Sequence, residues 1–441
     1  MSEAAPAELK AVVRPFFVYA VFTNAVFQRG VFVLFLAARG FSAAQIGVLQ
    51  AALYLTASFA EIPTGLFADR FGRRASVMTG QLLLAAGLAG QVFAHGFGVY
   101  LLLFAAMGFG NALASGAETA LLYDLLRREG LQRSYMWVNS RYTAIGSTVM
   151  AIAITLGGLL QAISWATVYM CSAAATVVGA LVLLRVPEVR GAEVAHLDEE
   201  PANQGDSASV GSSTGPGARN GRKGVPVRRV MTVSLLLLIA ASGLMHATAT
   251  PYFIFSQDVL HSQGAPAFAI SAVMAAAYLL GGGAPLLAGR ASRMGMRQMF
   301  LCTVTLLCAA LAVTGLRIVP LTVVVFLVVA TIPDITAVVL DTYFQQSVSS
   351  RNRARWLSTV SFVESGLIGL GYLGLGLSFD AFGPSGGAAA YAVVPAGAIV
   401  LGLVAFAAKG RAEKADQAAQ PAASLLSDVA SVSIAEAAIA P

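Results

Sequence analysis

The stretch Gly65-Leu66-Phe67-Ala68-Asp69-Arg70-Phe71-Gly72-Arg73-Arg74 is a short charged loop between two long apolar blocks. Its aspartate and three arginines stand out because only 11% of the 441 residues are charged. A helix needs about 20 apolar residues to cross a bilayer, and the block on each side of the loop is long enough. The loop therefore predicts two membrane helices joined on one side of a bilayer.

The composition of the whole chain supports a lipid environment. Hydrophobic residues make up 57% of the sequence, and the mean hydropathy is +0.74. Soluble domains carry about 25% charged residues, so the 11% found here excludes a water-soluble fold. The three cysteines (Cys171, Cys302 and Cys308) lie singly in apolar runs, so we expect no metal site, no disulfide framework and no cofactor.

Counting outward from the loop gives twelve apolar blocks. They lie at about 16–37, 44–67, 75–94, 98–125, 136–161, 164–186, 230–256, 267–289, 298–316, 318–345, 356–379 and 388–408. An open strand in lipid would leave backbone groups unpaired, so each block is predicted to be a helix. The predicted fold class is an all-α membrane protein with twelve transmembrane helices.

The blocks divide the chain into five predicted regions. These are an N-terminal cytoplasmic tail at 1–15, a six-helix bundle at 16–186, a linker at 187–229, a second six-helix bundle at 230–408 and a C-terminal cytoplasmic tail at 409–441. The linker is rich in Ser, Gly, Ala and charge, and it has too little apolar area to order itself. It is predicted to be disordered and cytoplasmic.

The distribution of basic residues predicts the orientation. With a cytoplasmic N-terminus, seventeen lysines and arginines lie in the short inner loops and tails, against only Arg39 and Arg317 outside. This positive-inside bias predicts a multi-pass protein of the cell inner (plasma) membrane with both termini in the cytoplasm. The net charge of +6 is then explained by topology, and no nucleic-acid partner is expected. Membrane lipid is the expected surroundings, and a monomer is the expected state.

A weak internal repeat relates the two predicted bundles. At an offset of 220 residues Arg70 aligns with Arg290, and Arg73 aligns with Arg293. The apolar blocks stay in register from the second to the eleventh. Two pseudo-symmetric bundles in parallel orientation predict a solute site at their interface near the bilayer midplane.

The charged loop resembles the signature loop of the major facilitator superfamily (MFS), Gly-x-Leu-Ala-Asp-Arg-x-Gly-Arg-Arg, with Phe67 in place of Leu. Its position after the second of twelve spans fits as well, and the resemblance covers 14–409. It implies the MFS fold and a loop that holds the cytoplasmic side closed. The gating residues it implies are Gly65, Asp69, Arg70, Gly72, Arg73 and Arg74, with Asp124 expected to pair with Arg70 or Arg73.

Two features depart from the pattern that the resemblance implies. Antiporters of the superfamily carry Gly-Pro-x-x-Gly-Gly in the fifth helix, whereas this chain keeps only the pair Gly157 and Gly158. The fourth helix often carries a buried arginine, and 103–110 has none. Both departures weaken the expectation of drug efflux coupled to proton antiport.

Charges inside the apolar blocks are expensive and are therefore functional candidates. Glu61, Arg141 and Glu364 are predicted to lie about 12 Å inside the inner face, at 1.5 Å per helical residue. We expect them to form an inner gate of ion pairs. The alternative is a static pair such as Glu61 with Arg141 that only joins two helices.

A second group of polar residues is predicted to face the solute or a proton. The superfamily's cavity is lined by helices 1, 4, 7 and 10, and the candidates on those helices are Asn24, Gln28, Arg29, Glu118, His246, Asp334 and Asp341. Glu118 and Asp334 are the best proton carriers among them. His246 changes charge near neutral pH, but a single histidine is more often a packed hydrogen-bonding group.

These observations predict a secondary active transporter that works by alternating access, with proton-coupled export of a small organic or drug-like solute as the leading interpretation. One alternative is uptake of a small polar or anionic nutrient, for which Arg29 would bind the anion. Another is a membrane scaffold or receptor that does not transport. No phosphate-binding Gly-x-x-x-x-Gly-Lys-Ser/Thr loop occurs, and no nucleophile–base spacing lies in the spans, so neither an ATP-driven pump nor an enzyme is expected.

Overall fold

The computed structural model describes residues 7–188, 225–283, 294–347 and 353–411. These residues form helices joined by short turns, with no strand in the ranges just given. The first half contains α1 (Ala7–Thr23), α2 (Phe32–Ala38), α3 (Ala43–Phe71), α4 (Arg73–Phe93), α5 (Phe97–Arg128), α6 (Tyr135–Leu160) and α7 (Trp165–Val182). The second half contains α8 (Val225–Ser262), α9 (Ala267–Gly282), α10 (Met296–Thr314), α11 (Val319–Ser347), α12 (Arg353–Ala390) and α13 (393–411).

Each of the twelve apolar blocks corresponds to helix, as predicted. Among the described residues, nine helical segments are long and apolar enough to cross a membrane. The last of them, Val360–Arg411, contains both the eleventh and the twelfth blocks. The first and eighth blocks correspond to the shorter apolar helices Val13–Thr23 and Ala267–Gly282. The fold is thus the predicted all-α membrane architecture.

One boundary differs in an important way. The first block is not a continuous helix, because α1 ends at Thr23 and α2 begins at Phe32. A single 3-10 turn, Phe27–Gly30, lies between them. The eleventh and twelfth blocks are joined within α12, which bends between them at Gly383, with a φ of 72°, just before Pro384.

Several expectations lie partly outside the described residues. The predicted linker is described only at its two ends, up to residue 188 and from residue 225, and the C-terminal tail only to residue 411. The repeat partners Arg290 and Arg293 also lie outside the described ranges. The five predicted region boundaries therefore remain predictions.

Glycines bring the helices of the first half into backbone contact. A Cβ at Gly80 of α4 would lie 2.5 Å from the carbonyl oxygen of Gly110 on α5. A Cβ at Gly108 would lie 2.3 Å from the carbonyl oxygen of Leu53 on α3. In a bilayer, apolar side chains are already out of water, so helices gain no hydrophobic free energy by packing them together. Close packing of small residues is therefore a main source of helix association in membranes.

The two halves meet through α3 against α12 and through α6 against α9. We define the basic face as the end with the turn at Gly72, and the opposite face as the end with the turns at 39–42 and 263–266. Near the opposite face a Cβ at Gly47 would lie 2.4 Å from the carbonyl oxygen of Tyr372. A Cβ at Gly376 would lie equally close, 2.4 Å, to the carbonyl oxygen of Ala43.

The side of α3 that carries Gly47 becomes exposed toward the basic face. Near the middle of this helix the ring of Phe59 contacts the ring of Phe362 in the other half, with 5.4 Å between the centroids. Farther along, Ile62 and Leu66 are 79% and 67% exposed. The halves are therefore closed against each other at the opposite face and splayed at the basic face.

Candidate functional site

The break in the first membrane helix lies at the centre of the candidate site. The residues that interrupt the helix include Asn24, Gln28 and Arg29, three of the predicted solute-binding residues. Discontinuous helices near the midplane form the solute sites of many transporters, because unwound backbone and helix ends can contact the solute. Here the break places these three side chains on the wall of one cavity.

This first cavity has a volume of about 670 Å³ and lies mostly within the first half. Its wall includes the predicted Glu61 and Glu118. Eighteen of its twenty-nine lining residues have polar side chains, among them four glutamines, two asparagines and four tyrosines. Only Ile254, Ser365 and Tyr372 come from the second half. The expectation of a cavity midway between the bundles is therefore only partly met.

Three buried polar atoms of residues on this wall have no hydrogen-bond partner among the described residues. They are Oε1 of Gln28, Oγ of Ser58 and the hydroxyl of Tyr169. Gln28 and Ser58 are each 8% exposed, and Tyr169 is fully buried. Leaving such a group unpaired costs about 1–3 kcal/mol, but none of the three atoms is exposed to the cavity, so a solute would reach them only after the wall moved.

Glu118 is held by two tyrosines rather than by a cation. The hydroxyl of Tyr19 on α1 donates to its Oε2 at 3.0 Å, and the hydroxyl of Tyr142 on α6 donates to its Oε1. Gln81 on α4 donates in turn to the Tyr19 oxygen at 2.9 Å. Four helices thus fix one carboxyl group beside the cavity, and no Lys, Arg or His of the described ranges lies within 4.0 Å of it.

Arg29 is the cation at the centre of the molecule. Its Nε donates to the hydroxyl of Tyr278 on α9 at 2.6 Å, which leaves both terminal nitrogens for other partners. Within the part of the chain that the structure describes, no carboxylate comes within 4.0 Å of this guanidinium. The side chain is exposed to the interior space, because Arg29 lines both the first cavity and a second one.

The second cavity, of about 320 Å³, lies between the second half and Arg29. His246 and Asp334 line it, and their contact with a solute or a proton stays a prediction. A Cβ at Gly281 would lie 3.4 Å from Oδ2 of Asp334, so a small residue leaves that carboxylate room. Asp341 is on α11, but its side chain is not among those described.

The three residues that were predicted to form the inner gate lie apart from one another. Arg141 stacks on the ring of Trp137, 4.1 Å from its centroid. Glu364 accepts a hydrogen bond from Ser242 at 2.9 Å, and its Oε1 lies 3.5 Å from Nδ1 of His246. No ion pair within 4.0 Å joins Glu61, Arg141 and Glu364, all of which are described. In this conformation, open at the basic face, the three do not meet.

The charged loop is folded against its own half. Gly72 adopts a φ of 98°, which only glycine adopts readily, and it ends α3 and starts α4. Arg73 pairs with Asp124, as one of the two expected pairs. Arg74 pairs with Glu188 at 3.3 Å, a contact that the sequence did not suggest.

The other residues of the charged loop that were expected to act in gating are exposed. Asp69 and Arg70 are exposed at the basic face. Gly65, one of the expected gating residues, makes no close helix contact here, because a Cβ there would meet nothing within 4 Å. In this conformation the halves are splayed where Gly65 lies.

Comparison with known sequences identifies the family. The profile of the Major Facilitator Superfamily matches residues 16–333, which is most of the chain. The chain belongs to the Major Facilitator Superfamily. It is therefore a multi-pass membrane transporter by family, and this points away from an enzyme. A comparison with curated protein sequences gives no match.

Solved structures of MFS transporters share the fold. The nucleoside transporter NupG is 16% identical, covers 91% of this chain and 98% of its own, and has a TM-score of 0.66. A bacterial homologue of the human lysosomal transporter Spinster, inward-facing and unoccupied, is 16% identical with 93% and 98% coverage and a TM-score of 0.67. The peptide transporter POT in complex with sulfate is 13% identical with 91% and 95% coverage and a TM-score of 0.64. At these identities the likeness establishes the fold alone.

Sequence reasoning overlooked several cavity residues of this MFS member. Gln50, Gln81, Gln91 and Asn111 all line the first cavity, yet none was a candidate. The search followed charges, which are the most expensive groups in lipid, and it took amides only as neighbours of Arg29, at Asn24 and Gln28. A scan for amides inside the apolar blocks would have found all four.

The glycine pair kept in the fifth membrane helix has a structural explanation. A Cβ at Gly157 would lie 1.8 Å from the carbonyl oxygen of Phe27, in the broken first helix. A Cβ at Gly158 would lie 2.5 Å from Oγ of Ser271 on α9. The pair lets α6 touch both the break and the other half of the transporter.

Proposed function

We propose that this MFS protein is a secondary active transporter that moves a small polar solute carrying an anionic group, coupled to protons, by alternating access. The observation that carries the proposal is the Arg29 guanidinium. It lies between two cavities and has no carboxylate of the described residues within 4.0 Å. A charged side chain near the bilayer centre costs about 2.5–3.5 kcal/mol by insertion scales, so an anionic partner from the solute would relieve an unfavourable state.

The chemistry of the first cavity supports a polar solute. Most of its lining side chains are amides, hydroxyls or charged groups, and its volume of about 670 Å³ suits a molecule of metabolite size. An apolar drug-like molecule would leave these groups without partners at a cost of about 1–3 kcal/mol each. The cavity thus favours the polar or anionic alternative over the drug-like solute first predicted.

Proton coupling is proposed for Glu118 and Asp334, one beside each cavity. Glu118 is held by two hydroxyl donors and can accept a proton without leaving a cation unpaired. His246 lies within electrostatic range of Asp334, so protonation of one affects the charge balance of the other. The direction of coupling decides between export and uptake.

The way the halves meet supports alternating access. They are closed at the opposite face and splayed at the basic face, which is the arrangement of a transporter open to one side. We propose that the basic face is cytoplasmic, in the cell inner membrane, because basic loops remain on that side. The chain is then open to the cytoplasm in this conformation.

The proposal is tested with the purified chain in proteoliposomes. A panel of small mono- and dicarboxylates and phosphate esters is compared with neutral amides of similar size and with lipophilic cations. Accumulation is measured with an inward proton gradient, an outward gradient and none. We expect accumulation of at least one anionic compound, with the sign of the effective gradient giving the direction.

Two variants separate a specific site from general binding. Arg29→Gln should abolish transport of the anionic compound, whereas Arg128→Gln, on an exposed residue of the basic face, should not. Preferential transport of lipophilic cations would contradict the polar-solute proposal. If no compound of any class moved, the scaffold alternative would be favoured.

A further inference from the structure

The break in the first helix is completed by a side chain from the other half. The Val33 amide donates to Oε1 of Gln257 at 3.1 Å, and Nε2 of the same Gln257 donates to the Arg29 carbonyl oxygen at 3.0 Å. Gln257 is on α8 and is fully buried. One amide group therefore bonds to both backbone groups of the broken helix.

The two backbone groups are those that would pair in an intact helix. In an α-helix each amide donates to the carbonyl oxygen four residues earlier, and Val33 is four residues after Arg29. Gln257 is thus inserted into the missing hydrogen bond of the first helix. In lipid an unpaired backbone group costs several kcal/mol, so this insertion makes the break tolerable.

We infer that Gln257 is a positioning residue for Arg29, and that it holds the break open only while the halves are closed at the opposite face. Gln257 and Arg29 lie on different halves, so separation of the halves at that face withdraws the amide. The Val33 amide and the Arg29 carbonyl then pair with each other. This closes the break and turns Arg29 about the helix axis, away from the space that the two cavities share.

The inference goes beyond the proposed function, because it concerns how the position of Arg29 depends on the state of the transporter. The hydrogen bonds of Gln257 then affect both solute binding at Arg29 and opening of the opposite face. The anionic group of a solute at Arg29 would favour the state in which Gln257 is inserted. A ligand changes a conformational equilibrium only by such differential affinity.

The test uses chemical modification of Arg29 and needs no solute. The chain in lipid nanodiscs is treated with phenylglyoxal, which modifies guanidinium groups, and the rate at Arg29 is measured by peptide mass spectrometry. Arg317, exposed in a turn on the opposite face, serves as the internal reference. Gln257→Met keeps the shape of the side chain and removes both hydrogen bonds.

We expect Gln257→Met to slow modification of Arg29 relative to Arg317 by about fivefold, because Arg29 leaves the cavity space in most molecules. The matched control is Gln263→Met, in the turn directly after the same helix. Gln263 donates to Ser385 within the second half, so its loss should leave Arg29 modification unchanged. An equal effect of both variants, or of neither, would overturn the inference.

A substitution at the buried Gln257 can also affect folding, so the second variant changes an exposed residue instead. Asp380→Asn changes an exposed contact between the halves at the opposite face, and it should open that face. If it opens the face without slowing Arg29 modification, Gln257 does not couple the two and the inference is wrong. Because no transport is measured, failure here leaves the proposed function intact.

Discussion

The Asp380 carboxylate of α12 accepts a hydrogen bond from the Ser42 hydroxyl at the start of α3, at 2.7 Å. The same carboxylate accepts from the backbone amides of Ala43 at 2.9 Å and Ala44 at 3.1 Å. A carboxylate is stabilised at a helix N-terminus by the free amide groups and by the helix dipole. Since α12 and α3 belong to different halves, this contact closes the transporter at the opposite face.

Removing the charge at Asp380 should favour opening of that face. In Asp380→Asn the amide still accepts one hydrogen bond but loses its charge interaction with the helix, worth about 0.3–1 kcal/mol at an exposed site. Distances between spin labels at His95→Cys and Leu316→Cys, in a chain with its native cysteines replaced by serine, report the opening. We expect a larger fraction of long distances than in the parent.

The control for this prediction is Gln45→Ala. Gln45 completes the capping box of α3 with Ser42 inside the first half, so its loss weakens the helix start and leaves Asp380 in place. The spin-label distances should then match those of the parent. A long-distance fraction equal to that of Asp380→Asn would show that the cap, not the contact between halves, controls the face.

Gly157→Ala should destabilise the fold. The added Cβ would lie 1.8 Å from the Phe27 carbonyl oxygen, and overpacking of this kind costs about 1–3 kcal/mol. Thermal unfolding in detergent should show a melting temperature lowered by several degrees. Gly366→Ala on α12 is the matched control, because a Cβ there meets nothing within 4 Å. An unchanged melting temperature for Gly157→Ala would mean that the segment around Phe27 shifts to accommodate the methyl group at little cost in stability.

Glu118→Gln should separate transport from proton coupling. The amide can keep hydrogen bonds with Tyr19 and Tyr142 but cannot take up or release a proton. Accumulation driven by a proton gradient should fall to background, whereas exchange of labelled for unlabelled solute should continue. Glu129→Gln, on an exposed residue at the end of α5, should behave as the parent. Gradient-driven accumulation by Glu118→Gln would assign the proton to another group.

Asp69→Asn should reduce turnover without reducing stability. Asp69 is exposed at the splayed basic face, so its charge matters for the state in which that face closes. We expect slower transport and an unchanged melting temperature. If turnover stayed at the parental rate, the charge of Asp69 would have no part in closing the face.

Asp124→Asn is the informative comparison with Asp69→Asn. Asp124 is buried and pairs with Arg73 inside the first half. Its loss should cost stability, about 1–3 kcal/mol, which is measured as a lower melting temperature. Opposite effects of the two variants on rate and stability would distinguish a gating charge from a structural one.

Much of the architecture could be predicted from the sequence. Lipid requires long apolar helices, so the blocks around the charged loop at Gly65–Arg74 gave the number and approximate bounds of the spans. The break at 24–31 was not predicted, because the apolar residues on both sides of Asn24, Gln28 and Arg29 were read as one continuous span. The hydrogen bonds that stabilise the break come from Gln257, which is more than 200 residues away in the chain.

The charges near the cavities could be found in the sequence, but their pairings could not. Arg29, Glu118, His246 and Asp334 all line the cavities, and they were singled out because a charge inside an apolar block is expensive; their contact with a solute or a proton stays a prediction. Their partners are tyrosines, amides and backbone groups from distant helices, which apolar patterning cannot assign. Glu118 is an example, since its two hydroxyl partners are on helices before and after its own.

By itself the sequence determined the number of apolar spans, the membrane environment and the set of charges within the spans, since each follows from the cost of polar groups in lipid. Only the tertiary structure decided which face is closed, where the first helix breaks and which groups surround Arg29. These depend on contacts such as Asp380 with Ser42 and Gln257 with Val33, which form when distant segments pack and which leave no local pattern in the chain.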